Sequence, residues 1–264
     1  CLTTLPESIE NLTNVAKLYL EGNNLTSLPE SIGNLKLLTK VDLIHNDLSE
    51  LSYDDLDSLF ISISKIPNLT TLDLSDNELT SLPESIGNLT SLTTLKLIEN
   101  DLSYLPEPIG NLTNLTTLDL SNNHITILPE SIGSLTNLTT LDFSRNQLTT
   151  LPESIGSLRN LTTLTLVWNE LSKLSKEELD SLINSISKIP NLKNLDLGSN
   201  YLSELSIEQL DFLINSISKI PNLTELNLSD NDLTTLPESI GNLINIAKLE
   251  ISWNCLTTLP ESIE

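Results

Sequence analysis

The sequence predicts an α/β solenoid, and the pattern and spacing of one repeated frame lead to that fold. An asparagine recurs ten times in the frame L-x-x-L-x-L-x-x-N-x-L, at Asn23, Asn46, Asn77, Asn100, Asn123, Asn146, Asn169, Asn200, Asn231 and Asn254. Successive asparagines are 23 residues apart, except in three intervals of 31 residues. An isolated L-x-L strand such as Leu72-Asp73-Leu74 cannot bury its apolar side alone, so the repeats must stack and share one core.

The repeated asparagine explains how the turns are joined. Its short side chain holds an amide donor and a carbonyl acceptor, so it can bond the backbone of its own turn and of the neighbouring turn where the chain leaves the strand. No apolar side chain does this. We therefore expect these ten residues, called the asparagine ladder below, to satisfy buried backbone groups along the whole array.

The short repeats contain the segment LPESIG, for example from Leu82 to Gly87. The proline stops the strand, and we expect the glycine to accept a turn with positive φ. The pattern predicts a tight return of extended chain and 3-10 turns on the convex side of the solenoid.

The long repeats each insert a segment that ends in the identical SISKIPNL, at 62–69, 185–192 and 216–223. These insertions predict three short amphipathic helices, because their apolar residues recur at spacings of three and four. In the second insertion the apolar stripe consists of Leu179, Leu182, Ile183, Ile186 and Ile189.

Each predicted helix has a start signal and a stop signal. A serine at the start is followed three residues later by a side chain that can complete a capping box. The pairs are Ser175 with Glu178, Ser206 with Gln209 and, in a weaker form, Ser52 with Asp55. The stop signals are Pro67, Pro190 and Pro221. We expect these helices on the convex side, where they widen the solenoid and tighten its curvature locally.

The repeat consensus LTTLPESIGNLTNLTTLDLSNN resembles the 23-residue leucine-rich repeat of the LPxxIG type. That type occurs in bacterial surface and effector proteins and in intracellular plant and animal scaffolds, and the resemblance covers essentially the whole chain. It implies a curved solenoid with a parallel sheet on the concave face. It also implies a role in protein recognition.

Composition limits the possible partners. Thirteen basic and 36 acidic side chains give a net charge of −23, which excludes nucleic acid and anionic membrane surfaces as direct partners because both need basic clusters. No apolar run approaches the roughly 20 residues of a membrane span, so direct membrane insertion is not expected. The low cysteine content and the lack of methionine favour a secreted or cell-surface setting.

Residues 1–264 are predicted to form a single solenoid of about ten repeats, since no linker interrupts the register. The segment CLTTLPESIE stands at both 1–10 and 255–264. The two copies are offset by 254 residues, which equals seven short and three long repeats, so one whole array separates them. This predicts a longer periodic protein or end-to-end assembly, although two degenerate copies of one consensus explain the match equally well.

The ends should then present apolar residues that bind a neighbouring array, since neither end shows a polar cap. The predicted assembly residues are Cys1, Leu2, Leu5, Ile9, Leu256, Leu259 and Ile263. Cys1 and Cys255 lie ten repeats apart, on the order of 48 Å in a straight stack, which excludes a disulfide between them within one chain unless the array closes. Free thiols or a disulfide between two chains remain as alternatives.

Two columns of variable residues are predicted to face solvent on the concave side. The central column is mainly acidic, and the column immediately before the ladder has varied chemistry, including Trp168 and Trp253. Tryptophan is enriched at binding hot spots, whereas the alternative is a ring that lies along the sheet and covers neighbouring threonines. The candidate binding residues are Tyr19, Asp42, His45, Asp73, Asp119, Asp142, Arg145, Trp168, Asp196, Tyr201 and Trp253.

No pattern of catalytic or metal-binding residues emerges. Asp119 and Asp142 should lie on adjacent strands, roughly 4.8 Å apart, but calcium needs six to eight converging oxygens, so a solvated acidic face is favoured. His45 and His124 are on the order of 14 Å apart along the sheet, too far to share a metal. There is no nucleophilic triad or phosphate-binding glycine loop. We expect a non-enzyme without cofactor or metal.

The sequence favours a protein-recognition solenoid whose acidic concave face, with scattered aromatic residues, binds a partner of basic or mixed charge. The alternative is a structural role, in which copies or further repeats stack end to end into a fibre or a giant surface protein. The two hypotheses differ at the ends of the array.

Overall fold

The computed structural model describes residues 2–263, and within that range ten short strands form one parallel sheet in chain order. The strands are β1 Lys17–Tyr19, β2 Lys40–Asp42, β3 Thr71–Asp73, β4 Thr94–Lys96, β5 Thr117–Asp119, β6 Thr140–Asp142, β7 Thr163–Thr165, β8 Asn194–Asp196, β9 Glu225–Asn227 and β10 Lys248–Glu250. The predicted α/β solenoid with a parallel sheet on its concave face is confirmed.

One strand of each repeat pairs with the same strand of the next repeat without any shift. Leu72 at the centre of β3 is aligned with Val41 of β2 and Leu95 of β4, and all three are fully buried. Since side chains alternate across a strand, this alignment turns the flanking residues toward the concave face. Similar leucines and isoleucines of every turn extend the same core from Ile9 to Ile240.

The convex side of the short repeats consists of 3-10 turns, as predicted. The five-residue turns are Glu7–Asn11, Glu30–Asn34, Glu84–Asn88, Glu107–Asn111, Glu130–Ser134, Glu153–Ser157 and Glu238–Asn242. Each begins after a proline in extended conformation, because the fixed φ of proline suits the last residue before the turn.

The expected role of the turn glycines is wrong. Among the described residues only Gly22 is a glycine with positive φ, and Gly22 lies outside the LPESIG segment. A Cβ atom on Gly87 would instead lie 2.6 Å from the Cβ of Pro108 in the next repeat. The LPESIG glycine is therefore needed because neighbouring turns approach closely, and its backbone conformation is ordinary.

The three predicted helices are confirmed, at α1 Tyr53–Ser64, α2 Lys176–Ser187 and α3 Ile207–Ile217. Both expected capping boxes are formed, and Ser52 accepts a hydrogen bond from the backbone N–H of Asp55. The helices pack against the 3-10 turns of adjacent repeats, α1 between Glu30–Asn34 and Glu84–Asn88. They therefore belong to the convex layer. Within residues 2–263, no helix is long and apolar enough to cross a membrane.

The asparagine ladder forms as predicted. The Nδ2 group of Asn77 donates to the carbonyls of Leu43, Leu74 and Ser75 at 2.9, 3.0 and 3.0 Å, and its Oδ1 accepts from the N–H of Asn46 at 2.8 Å. The eight ladder asparagines from Asn46 to Asn231 are buried. Each rung thus joins its own turn to the preceding one.

A second asparagine series, which the sequence analysis missed, runs along the segment that leads into the strands. Asn137 Nδ2 donates to the carbonyl of Thr113 at 2.9 Å, and Asn160 Nδ2 donates to that of Thr136 at 2.9 Å. The recurrent N-L-T motif is the signal that would have revealed it. These exposed asparagines tie successive turns together before the strands, whereas the ladder joins them after the strands.

Candidate functional site

The last residues of the ten strands form the central column of the concave face. Strand pairing aligns Tyr19, Asp42, Asp73, Lys96, Asp119, Asp142, Thr165, Asp196, Asn227 and Glu250. The predicted alignment of the acidic candidates is therefore present in the sheet.

Several central aspartates also shape the backbone where their strand ends. The Oδ1 atom of Asp142 accepts hydrogen bonds from the backbone N–H and the hydroxyl of Ser144, at 2.9 and 2.6 Å. Asp119 makes the same pair of bonds with Ser121, and Asp196 accepts from the N–H two residues later. Part of the acidic column is thus explained by local structure, while the second carboxylate oxygen stays available.

The prediction that the whole central column faces solvent is wrong for Asp42 and Asp73, since each is only 5% exposed. The ammonium group of Lys40 lies 3.3 Å from Asp42 and 4.8 Å from the centre of the Tyr19 ring. That of Lys96 lies 4.0 Å from Asp73. Long neighbouring side chains cover both carboxylates, so the open acidic part of the column begins at Asp119.

Electrostatic strain remains at Asp142. Burial raises the pKa of Asp142 above its ordinary value, and the carboxylates of Asp119 and Asp196 raise it further, while the two hydrogen bonds from Ser144 lower it. A cation brought against this part of the sheet would relieve the repulsion. A groove of about 290 Å³ continues from here across β7 to β10, past Asp196.

The residues immediately before the ladder form the strand-exit column, and all ten have left-handed backbone. They are Gly22, His45, Asp76, Glu99, Asn122, Arg145, Trp168, Ser199, Asp230 and Trp253, with φ between 54° and 70°. Glycine and asparagine adopt this conformation readily, whereas large side chains rarely do. This backbone requirement was not predicted from the sequence, although Gly22 and Asn122 in the column were a signal for it.

The strand-exit column and the residues that follow the ladder form one edge of the concave face, called the strand-exit edge below. Three predicted binding residues meet at one place on this edge, and we call Arg145, Trp168 and Tyr201 the aromatic cluster. The rings of Trp168 and Tyr201 pack edge to face, with centroids 5.6 Å apart and planes at 81°. The guanidinium of Arg145 lies over Trp168 at 5.8 Å from its centroid. Trp168 remains 38% exposed despite these contacts, so the ring is both held in place and accessible.

The cluster borders a hollow of about 270 Å³. Amide, imidazole and guanidinium groups line it, from Asn122, His124, Arg145 and Gln147. Glu170 also lines it, but its carboxylate is paired with Lys173 at 2.8 Å. The hollow is therefore rich in hydrogen-bond donors on a chain that is otherwise strongly acidic.

A second hollow, of about 300 Å³, adjoins the first, since Asn122 and His124 line both, and it is acidic. We call its four carboxylates, Asp76, Glu78, Glu99 and Asp101, the acidic strip. The imidazole of His45 is 2.8 Å from Asp76, and that of His124 is 3.4 Å from Asp101.

The His45 contact has an electrostatic consequence. The hydrogen bond that His45 donates to the carboxylate of Asp76, reinforced by the negative charge of that carboxylate, raises the pKa of His45 above its ordinary value. The charges of Asp47 and Glu21 also raise the pKa of His45, although solvent weakens these effects because both members of the pair are exposed.

The remaining candidates lie apart from the cluster. Tyr19 is exposed at one end of the central column, and Trp253 is 83% exposed at the far end of the strand-exit column. Within residues 2–263, no group of three or more His, Cys, Asp and Glu side chains could hold a metal ion.

The predicted assembly residues lie in the first and last turns. Leu2 is 41% exposed, whereas Leu25, its counterpart one repeat later, is 1% exposed. Leu259 and Ile263 are also exposed at the other end.

Three further assembly candidates are at least partly covered. Ile9 is buried, contrary to expectation, because its 3-10 turn packs against Glu30–Asn34. Leu5 and Leu256 are partly buried against the core. Cys1 lies outside the described residues.

Comparisons with known families agree with this architecture. A profile described as a leucine-rich repeat region matches residues 95–228, and a profile of two leucine-rich repeats matches 67–107. Single leucine-rich repeats match 14–35 and 222–243. A comparison with curated proteins gave no match.

Two solved structures resemble the chain along nearly its whole length. A leucine-rich repeat protein of Leptospira interrogans is 32% identical, with a TM-score of 0.59, and the alignment covers 99% of this chain and 72% of that protein. A chain from the Drosophila Toll–Spatzle complex is 26% identical, with a TM-score of 0.70, and the alignment covers 98% of this chain and 32% of that chain.

Proposed function

The chain belongs to the leucine-rich repeat family, and on that premise we propose that it is a non-catalytic scaffold that binds another protein with its concave face and strand-exit edge. The family and its structural neighbours support an interaction scaffold. The Drosophila neighbour comes from a complex of two proteins.

The observation that carries the proposal is the identity of the side chains in the aromatic cluster. The fold requires a left-handed residue before each ladder asparagine, and Gly22 and Asn122 meet that requirement at low cost. Arg145 and Trp168 adopt the same conformation with large, exposed side chains. Strained backbone and accessible aromatic surface at one place are typical of binding sites.

Charge favours a partner of basic or mixed composition. The acidic strip and the carboxylates of Asp119, Asp142 and Asp196 border the cluster on the same side of the solenoid, on a chain of net charge −23. A basic partner would associate faster at low salt and would reduce the repulsion within the acidic column.

The test compares two matched variants, Trp168→Asn and Phe212→Gln. Trp168 on the concave edge is 38% exposed, and Phe212 on α3 of the convex side is 40% exposed. Asparagine removes the ring but tolerates the left-handed backbone. We expect Trp168→Asn to weaken binding of a partner captured by the immobilised chain by more than about 1 kcal/mol, and Phe212→Gln to leave the affinity unchanged. The reverse pattern would move the binding surface to the convex side.

End-to-end assembly is a second candidate, and the contrast between Leu2 and Leu25 favours it. The apolar residues of the outer turns match those that are buried at every junction between repeats. Further repeats of the same chain and a second copy would cover these surfaces equally well. Sedimentation of the 264-residue chain over a range of protein concentrations tests for the second copy.

A further inference from the structure

We infer that the partner binds as an extended segment along the strand-exit edge, with a carboxylate held by Arg145, an apolar side chain against Trp168 and Tyr201, and basic residues over the acidic strip. This rests on the proposed function and specifies the chemistry of the partner. The segment has one order of groups along its length, namely basic residues, then the carboxylate, then the apolar anchor.

We infer the carboxylate of the partner from the absence of an ion pair at Arg145 among the described residues. Arg145 is exposed, and no carboxylate lies within 4.0 Å of its guanidinium among the described residues, although the chain carries 36 acidic side chains. Its stacking on Trp168 limits the orientations of the planar guanidinium. A guanidinium of this kind binds a carboxylate through two parallel hydrogen bonds.

The surroundings of Arg145 support the same ligand. The side chains of Asn122 and Gln147 line the same hollow and can donate further hydrogen bonds. The one acidic residue of the hollow, Glu170, is paired with Lys173 and does not compensate Arg145. A single negative group of the partner therefore fits here and would be repelled almost everywhere else on this face.

The basic residues follow from the acidic strip two strands away. Asp76 and Asp101 contact histidines, whereas Glu78 and Glu99 form no ion pair within residues 2–263. Cations of the partner belong there, because Arg145 would repel them from the aromatic cluster. The two hollows together thus define the order of charges.

The spacing of the strands sets the spacing in the partner. Glu99 follows β4 and Arg145 follows β6, so two steps of about 4.8 Å separate them, roughly 10 Å. An extended chain advances about 3.3 Å per residue, which places the carboxylate about three residues from the nearest cation. Trp168 and Tyr201 follow β7 and β8, so the apolar anchor lies about two to three residues beyond the carboxylate.

The experiment uses a displayed library of random 12-residue peptides, selected on the intact 264-residue chain and counter-selected on Trp168→Asn. We expect the enriched peptides to contain one or two basic residues, a glutamate or aspartate about three residues away, and an aromatic or long aliphatic residue beyond it. Arg145→Glu should weaken an enriched peptide at least tenfold. Replacing the carboxylate residue of that peptide by lysine should restore the affinity for Arg145→Glu.

Arg145→Lys is the conservative control, since it keeps the charge but loses the planar fork, and it should give an intermediate loss. Peptides that depend on Trp168 but lack a carboxylate, or that bind Arg145→Glu unchanged, would overturn the inference and leave concave-face recognition standing. Failure to enrich any peptide would overturn the inference as well. If a captured protein also bound the Trp168→Asn chain unchanged, the proposed function would fail separately.

Discussion

Replacing Asn123 by alanine removes one rung from the middle of the asparagine ladder. Its Nδ2 group donates to the carbonyls of Leu97, Leu120 and Ser121 at 2.8, 3.0 and 3.3 Å. Its Oδ1 atom accepts from the backbone N–H of Leu102 at 3.0 Å. Asn123 is buried, so water cannot easily replace these bonds.

The magnitude depends on which partners keep another bond. The carbonyl of Leu97 also accepts from Asn100, that of Leu120 from Asn146, and that of Ser121 from the N–H of Glu99. The N–H of Leu102 has no other acceptor among the described residues. One buried donor is therefore left unpaired, and we expect the free energy of unfolding to fall by about 1–3 kcal/mol.

Urea unfolding followed by circular dichroism measures this loss, with Thr117→Ala as the control. Thr117 lies on the concave face at the start of β5, and its hydroxyl makes no hydrogen bond among the described residues. The terminal rung Asn23→Ala should cost less than Asn123→Ala, because Asn23 is only partly buried and its Oδ1 binds the exposed N–H of Leu2. Equal shifts of the urea midpoint for Asn123→Ala and Thr117→Ala would refute the ladder as a source of stability.

Three further predictions concern charge, backbone strain and assembly. Asp76→Asn should lower the pKa of His45 in an NMR titration, and an unchanged pKa would contradict the contact. Because the pKa of His45 is raised in the folded chain, the pair stabilises the fold at acidic pH, and this contribution is lost as the pH rises through the folded-state pKa. Trp253→Asn should raise the free energy of unfolding by up to about 1 kcal/mol, because the exposed ring contributes little packing and asparagine tolerates a φ of 55°. A lower stability in thermal or urea unfolding would show instead that the ring packs against the solenoid. End-to-end association of the chain should strengthen up to about 0.5 M salt, where the Debye length is roughly 4 Å and the repulsion between the acidic chains is screened. The substitutions Leu2→Glu and Leu5→Glu should abolish this association in sedimentation. A chain that stays monomeric at every salt concentration would rule out end-to-end assembly.

The repeat architecture was predictable because one short pattern determines it. Spacing of the ladder asparagines fixed the number of strands and their unshifted pairing, since identical turns bury their leucines only when stacked in register. The helices were predictable from local signals, as the bonds between Ser175 and Glu178 illustrate.

Features that depend on contacts between turns were not predictable in the same way. The glycine in LPESIG is a typical turn residue, but the structure requires glycine there because Pro108 of the next repeat approaches Gly87 closely. The alternating pattern of the strand predicts that Asp42 is exposed, yet Lys40 and Tyr19 cover it. In both cases a side chain of a neighbouring turn, or a long side chain on the same strand, decides the outcome.

The aromatic cluster was partly predictable. Arg145 and Trp168 stand in one column of adjacent repeats, so their proximity follows from the repeat. Tyr201 comes after its ladder asparagine, in a different column; both Trp168 and Tyr201 have left-handed backbone, and their rings pack edge to face. Backbone conformation of this kind is not written in the spacing of apolar residues.

Hydroxyl-radical footprinting of the chain with and without a captured partner tests concave-edge recognition most directly. The method reports the accessibility of individual aromatic side chains, and Trp168, Tyr201 and Phe212 sample the two sides of the solenoid. Our account predicts that the partner protects Trp168 and Tyr201 from oxidation and leaves Phe212 unchanged. Protection of Phe212 with unchanged oxidation of Trp168 and Tyr201 would contradict it.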